Sequence, residues 1–145
     1  MQAEDYRVKI VQRGAVPPLI NMLKTTDRAL REMAAFALGR LAQNTDNQAG
    51  IFAMGVLPPL LDLLTSKVKN LEHNAAFTLY GLADNPDNVP EIVKRVRPSL
   101  QCSDKTPRVI ACHQTSSMRH AGVTTADCRH CIGRLRAVAT RQVSG

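Results

Sequence analysis

The chain repeats itself at an interval of 41 residues, the distance from Pro17 to Pro58. At this offset Pro17-Pro18-Leu19 coincides with Pro58-Pro59-Leu60, and Ala34-Ala35-Phe36 coincides with Ala75-Ala76-Phe77, with no gap between them. A repeat of this length cannot bury its apolar face alone, so neighbouring repeats must stack to form one continuous core. The period therefore restricts the chain to a stacked repeat architecture.

Each period contains three segments with helical character. Gly14 and Gly55 follow the first segment, where glycine favours the left-handed turn that ends a helix. Proline pairs open the second segment, because proline is tolerated in the first turn of a helix. The third segment carries apolar residues at helical spacing. The predicted helices are 5–12, 17–24 and 29–43 in the first repeat, and 46–53, 58–65 and 70–84 in the second.

Asn/Asp-rich corners at 44–46 and 85–87 separate the periods and are expected to cap the helices that follow. With its glycine turns, its prolines and its alanine-rich third helix AAFALGRLA, the chain resembles armadillo repeats over residues 4–95. The resemblance implies an all-α fold, a right-handed α-solenoid of about two and a quarter repeats.

The chain also resembles plant armadillo proteins that carry a C-terminal BTB domain, in the segments AFALGRLAQ, NQAGI and HNAAF. The resemblance implies a nuclear or cytoplasmic scaffold that binds transcription factors, some of them linked to the abscisic-acid response. Ubiquitin-ligase components are implied as further partners through the BTB domain. No BTB segment occurs in this sequence, so the ligase-adaptor role is not predicted.

The 41-residue repeat pattern is lost within its third period. Asp87 and Ile92 are in register, but Val96 occupies the place of the glycine and Ser99-Leu100 that of the proline pair. Residues 1–95 carry 11 Lys/Arg and 10 Asp/Glu, whereas residues 96–145 carry 8 and 2. The predicted domains are repeats at 4–43 and 44–84, the first helix of a third repeat at 85–95, and a basic tail at 96–145. The tail is expected to be disordered or outside the family.

All four cysteines lie in this tail, and Cys128 and Cys131 form a CxxC motif. Zinc sites take four Cys or His ligands, often in two close pairs, and the second pair is missing here. Cys112, Cys128 and Cys131 are therefore weak candidates, and neither a metal nor another cofactor is predicted. Nucleic-acid binding through the basic tail stays an alternative that the scarcity of aromatic residues disfavours.

The sequence contains no phosphate-binding glycine loop, zinc-protease motif or paired carboxylates, and His73 has no catalytic partner at a suitable spacing. Neither a membrane span nor a secretory leader is present in the sequence pattern. We therefore predict neither an enzyme nor a membrane protein.

The third helices are expected to line a concave groove that binds a partner protein. Import receptors of this fold use a WxxxN pattern there, for which this chain has Phe36…Arg40 and Phe77…Gly81, so an import-receptor role is disfavoured. Arg40 could bind a carboxylate of the partner with two hydrogen bonds. Packing of both phenylalanines between repeats is the alternative. The predicted partner-binding residues are Glu32, Phe36, Arg40, Gln43, His73, Asn74, Phe77 and Tyr80.

A competing hypothesis is that the chain is a truncated or frame-altered fragment without an independent function. It follows from the sudden loss of the period, and from the small number of repeats compared with the three or so that stability usually requires.

Overall fold

The computed structural model describes residues 3–99 and Gly133, with side chains from residue 6 to residue 96 of the helical part. Residues 3–99 contain seven helices and no strand. The helices are α1 (Ala3–Gln12), α2 (Val16–Leu23), α3 (Arg28–Ala42), α4 (Thr45–Ala53), α5 (Leu57–Leu64), α6 (Lys69–Leu82) and α7 (Val89–Ser99). The all-α prediction is confirmed, and the six predicted segments agree with α1–α6 to within two residues at each end.

Two glycines turn the chain from the first helix of each repeat into the second. Gly14 has φ of 81° and Gly55 has φ of 80°, a region of backbone conformation in which a side chain causes strain. The prolines occupy the first turns of α2 and α5, where their missing N–H groups cost no hydrogen bond. The local sequence signals therefore act as predicted.

The two repeats stack chiefly through their third helices, because α6 lies along α3. Ala34 and Ala35 of α3 and Ala75 and Ala76 of α6 are completely buried, so small side chains lie at the centre of the stack. The Thr78 hydroxyl donates a hydrogen bond to the Ala35 carbonyl at 3.0 Å and so joins the repeats directly. The predicted solenoid is confirmed for this part of the chain.

Buried amide side chains close the ends of the third helices. Asn47 Nδ2 donates to the Leu41 carbonyl at 3.2 Å, and Gln48 Nε2 donates to the Ala42 carbonyl at 3.0 Å. Asn88 Nδ2 makes the equivalent contact in the next period, with the Leu82 carbonyl at 3.0 Å. The last carbonyls of a helix have no partner within it, and these amides supply one without exposing the carbonyls to water.

Helix α7 differs from the sequence expectation in its bounds. It begins at Val89 rather than near residue 85, because residues 85–88 form turns in which the Asn85 side chain accepts from the Asp87 N–H at 3.0 Å. It continues to Ser99, beyond the boundary predicted at residue 95, because Val96 replaces the turn glycine and is completely buried. The remainder of the predicted basic tail, with Cys112, Cys128 and Cys131, lies outside the described residues apart from Gly133.

Candidate protein-binding surface

Three candidates, Glu32, Phe36 and Arg40, lie on α3, and Gln43 is the residue that follows its C-terminal end. Phe36 is 56% exposed, and Arg40 is exposed with no ion-pair partner among the described residues. Glu32 accepts a hydrogen bond from Arg28 Nε at 2.8 Å. Gln43 Nε2 donates to the Gly39 carbonyl at 3.3 Å. Arg40 is therefore an exposed cation that this helix can offer to a ligand.

The four candidates on α6 are half-buried, because they lie closer to the junction with α3. Asn74 Nδ2 donates to the Glu32 carbonyl at 3.3 Å. Tyr80 packs against the edge of the core. Phe77 lies against Gly39, since a Cβ atom at Gly39 would be only 2.7 Å from Phe77 Cδ1. Phe77 is thus packed between repeats, as the alternative interpretation expected, whereas its equivalent Phe36 is exposed.

Contacts between α3 and α6 bring some members of the two sets together. Asn74 contacts Glu32 near the start of α3, and Phe77 contacts Gly39 beside Arg40. Further along, a Cβ atom at Gly81 would lie 2.6 Å from Gln43 Nε2. We call this set of candidates the α3–α6 surface: Glu32, Phe36, Arg40, Gln43, His73, Asn74, Phe77 and Tyr80. It combines an exposed cation, amide groups and aromatic rings, a composition that can bind a peptide.

Three residues that position this surface were missed by the sequence analysis. Gly39 and Gly81 allow α3 and α6 to approach, because a side chain at either position would collide with the facing helix. Thr78 fixes the same junction through its hydrogen bond to the Ala35 carbonyl of α3, while its second bond, to the Asn74 carbonyl, lies within α6. The repeat alignment contained a signal for two of them, because Thr78 and Gly81 differ from their first-repeat equivalents, Ala37 and Arg40. Such a difference marks positions where the two repeats have different neighbours.

Within the described part of the chain, no three His, Cys, Asp or Glu side chains are grouped so that they could hold a metal ion. Over the same residues, every helix is too short or too polar to cross a bilayer. The zinc candidates of the tail lie outside this region.

The family model for the Armadillo/beta-catenin-like repeat matches residues 4–43, which span α1–α3. An armadillo repeat is therefore present there, and the resemblance is confirmed at that level. No curated protein and no solved structure matches the chain significantly. Armadillo repeats generally mediate protein–protein interaction and typically belong to non-enzymatic scaffolds. The narrower similarity to plant proteins with a BTB domain has no support from a relative.

Proposed function

We propose that this chain is a non-enzymatic protein-binding module and that the α3–α6 surface binds a segment of its partner. The observation that carries the proposal is the exposed Arg40, which has no ion-pair partner among the described residues and lies four residues after the exposed Phe36 and three before Gln43. A guanidinium binds a carboxylate with two parallel hydrogen bonds, and an aromatic ring adds apolar contact area. The partner segment is therefore expected to carry an acidic residue beside an apolar one.

The buried side of the junction supports this assignment. Asn74, Thr78 and Phe77 make contacts that hold α3 and α6 together, so they position the surface. Binding sites on rigid elements lose less conformational entropy when a ligand binds. We therefore expect Phe36, Arg40 and Gln43 to contact the partner directly.

A display library of random peptides, selected against the full chain, tests the proposal. Enriched peptides should contain Asp or Glu next to an apolar residue. Arg40→Glu should weaken their binding about tenfold or more in fluorescence anisotropy, because an attractive ion pair becomes a repulsive one. Lys67→Glu makes the same charge change at an exposed residue between α5 and α6 and should leave the affinity within about twofold.

The proposal fails if no peptide is enriched, or if Arg40→Glu and Lys67→Glu weaken binding equally while both variants keep the helical circular-dichroism spectrum. The first outcome together with a low melting temperature would instead favour the hypothesis of a fragment without an independent function.

The resemblance to the plant proteins supports a narrower proposal, in which the partner is a transcription factor and the complex is in the nucleus or the cytoplasm. Its support is the sequence similarity of the repeat segments to those proteins. Imaging a fluorescent fusion of the full chain tests the location, and enrichment in any other compartment would contradict it.

A further inference from the structure

Within the described residues, the first repeat exposes an apolar face on the side away from the second repeat. Met33 is 67% exposed, Phe36 is 56% exposed and Ile10 is 45% exposed. We call this surface the N-terminal end face, and its apolar members are Tyr6, Ile10, Leu30, Met33 and Phe36.

The second repeat shows how such a face is covered. The residues that correspond to Ile10 and Leu30 are Ile51 and Leu71, and both are completely buried. The residue that corresponds to Phe36 is Phe77, which lies against Gly39 of α3. The end face is therefore a continuation of the established interface between the two repeats, and a helix with the shape of α3 fits it.

Two arginines on this face add a charge preference. Arg7 corresponds to Gln48, whose Nε2 donates to the Ala42 carbonyl at 3.0 Å. Arg40 corresponds to Gly81, where a Cβ atom would lie 3.3 Å from the same carbonyl oxygen. Both positions thus converge on the C-terminal end of the helix that covers the face. The C-terminus of a helix carries partial negative charge, and cations beside it are stabilising.

We propose that the N-terminal end face binds the C-terminal end of an amphipathic α-helix from a protein partner, with a carboxylate placed between Arg7 and Arg40. The contact side of that helix carries small residues, as α3 presents Ala35 and Gly39 to α6. The proposal rests on the proposed function, since Phe36 and Arg40 belong to both surfaces, and it adds a second contact region and the chemistry of its ligand.

A second copy of the chain does not fit this role. Helices α1, α4 and α7 are equivalent in successive periods, as Ile10, Ile51 and Ile92 show. If a second copy covered the end face and continued the stack in register, its α7 would occupy the position of this chain's α1. In addition, Tyr80 occupies the position at which Gly39 admits the aromatic ring of the next repeat. A separate partner helix brings neither an overlapping α7 nor a tyrosine in place of Gly39.

The test uses a stapled helical peptide that carries the contact side of α3, extended by two glutamates and a free carboxylate. A matched peptide ends in two lysines and an amide. In fluorescence anisotropy with the full chain, the acidic peptide should bind about tenfold tighter or more than the basic one. The double variant Arg7→Glu/Arg40→Glu should reverse this order. Met33→Asp should weaken both peptides, because it places a charge in the apolar contact.

The controls separate this proposal from the one for the α3–α6 surface. Lys67→Glu should change neither peptide's affinity. Arg7 lies only on the end face, so Arg7→Glu should weaken binding of the acidic stapled peptide but not of the peptides enriched by display. If Arg40→Glu weakens the display peptides while Arg7→Glu leaves the stapled peptide unchanged, the end-face proposal fails and the proposed function holds.

Equal affinity of the two stapled peptides for the unaltered chain would overturn the proposal. It would also be overturned by self-association in sedimentation experiments that Met33→Asp abolishes, because the occupant would then be a second copy. Circular dichroism confirms that each variant is folded before its affinity is interpreted.

Discussion

The two repeats place identical residues in opposite environments. Ile10 in α1 is 45% exposed, whereas its equivalent Ile51 in α4 is completely buried. Leu30 in α3 is 38% exposed, whereas its equivalent Leu71 in α6 is completely buried. Burial in this fold is therefore determined by whether a repeat precedes the residue in the stack. The same repeat sequence provides core in one position and an open surface in another.

Where the two repeats differ in sequence, the residue of the second repeat is suited to its contact with the first repeat. Met33 is replaced by Asn74, which donates to the Glu32 carbonyl, and Ala37 is replaced by Thr78, which donates to the Ala35 carbonyl. Arg40 is replaced by Gly81, which leaves room for the end of α3. The second repeat is adapted to contact the first, while the first exposes apolar and cationic groups at the same positions.

The largest expected effect comes from truncating the same leucine in both repeats. Leu71→Ala should lower the free energy of unfolding by about 2–5 kcal/mol, because it leaves a cavity between the repeats. Leu30→Ala should lower it by less than about 1 kcal/mol, because water already reaches that side chain. Urea unfolding followed by circular dichroism measures both. Equal losses would show that burial does not distinguish the two positions.

A pair of glycines tests the close approach of α3 and α6. Gly39→Ala should destabilise the fold by about 1–3 kcal/mol, because the new Cβ would lie 2.7 Å from Phe77 Cδ1 and 3.0 Å from Thr78 Oγ1. Gly50→Ala in α4 has no neighbouring atom within 4 Å and should stabilise the fold by about 0.5–1 kcal/mol, because alanine favours the helix. Thermal unfolding of the two variants should shift in opposite directions, and a shift in the same direction would contradict the predicted contact.

The period allowed the helices to be predicted from the sequence, because Gly14, Gly55 and the proline pairs mark local backbone requirements. Exposure was harder to predict. Phe36 and Phe77 share one motif, yet among the described residues only Phe77 has an earlier repeat to pack against. A sequence motif does not show which residues will surround it in the fold. The full extent of α7 was also missed, because the repeat comparison ends at Val96, where the residue that replaces glycine continues the helix.

The hydroxyl of Thr78 tests the polar part of the same interface. Thr78→Val keeps the shape but removes the donor to the Ala35 and Asn74 carbonyls, and should cost about 1–2 kcal/mol, because the site is buried. Thr65→Val removes a similar donor to Leu61 and Asp62 at an exposed position, where water replaces it, and should cost less than about 0.5 kcal/mol. Urea unfolding of both variants measures the difference, and a larger loss for Thr65→Val would contradict the assignment of Thr78 to the junction.

The smallest effect concerns how each third helix begins. Asp27 caps α3 by accepting from the Ala29 and Leu30 N–H groups at 2.8 and 3.2 Å, whereas Val68 at the start of α6 has no capping side chain. Within the described residues no earlier repeat packs against the start of α3, so we expect this local cap to contribute to its stability. Asp27→Ala should therefore cost about 1 kcal/mol, and Asp27→Asn should cost less than half of that, because asparagine caps as well as aspartate. If urea unfolding shows equal losses for the two variants, the cap is not what stabilises the start of α3.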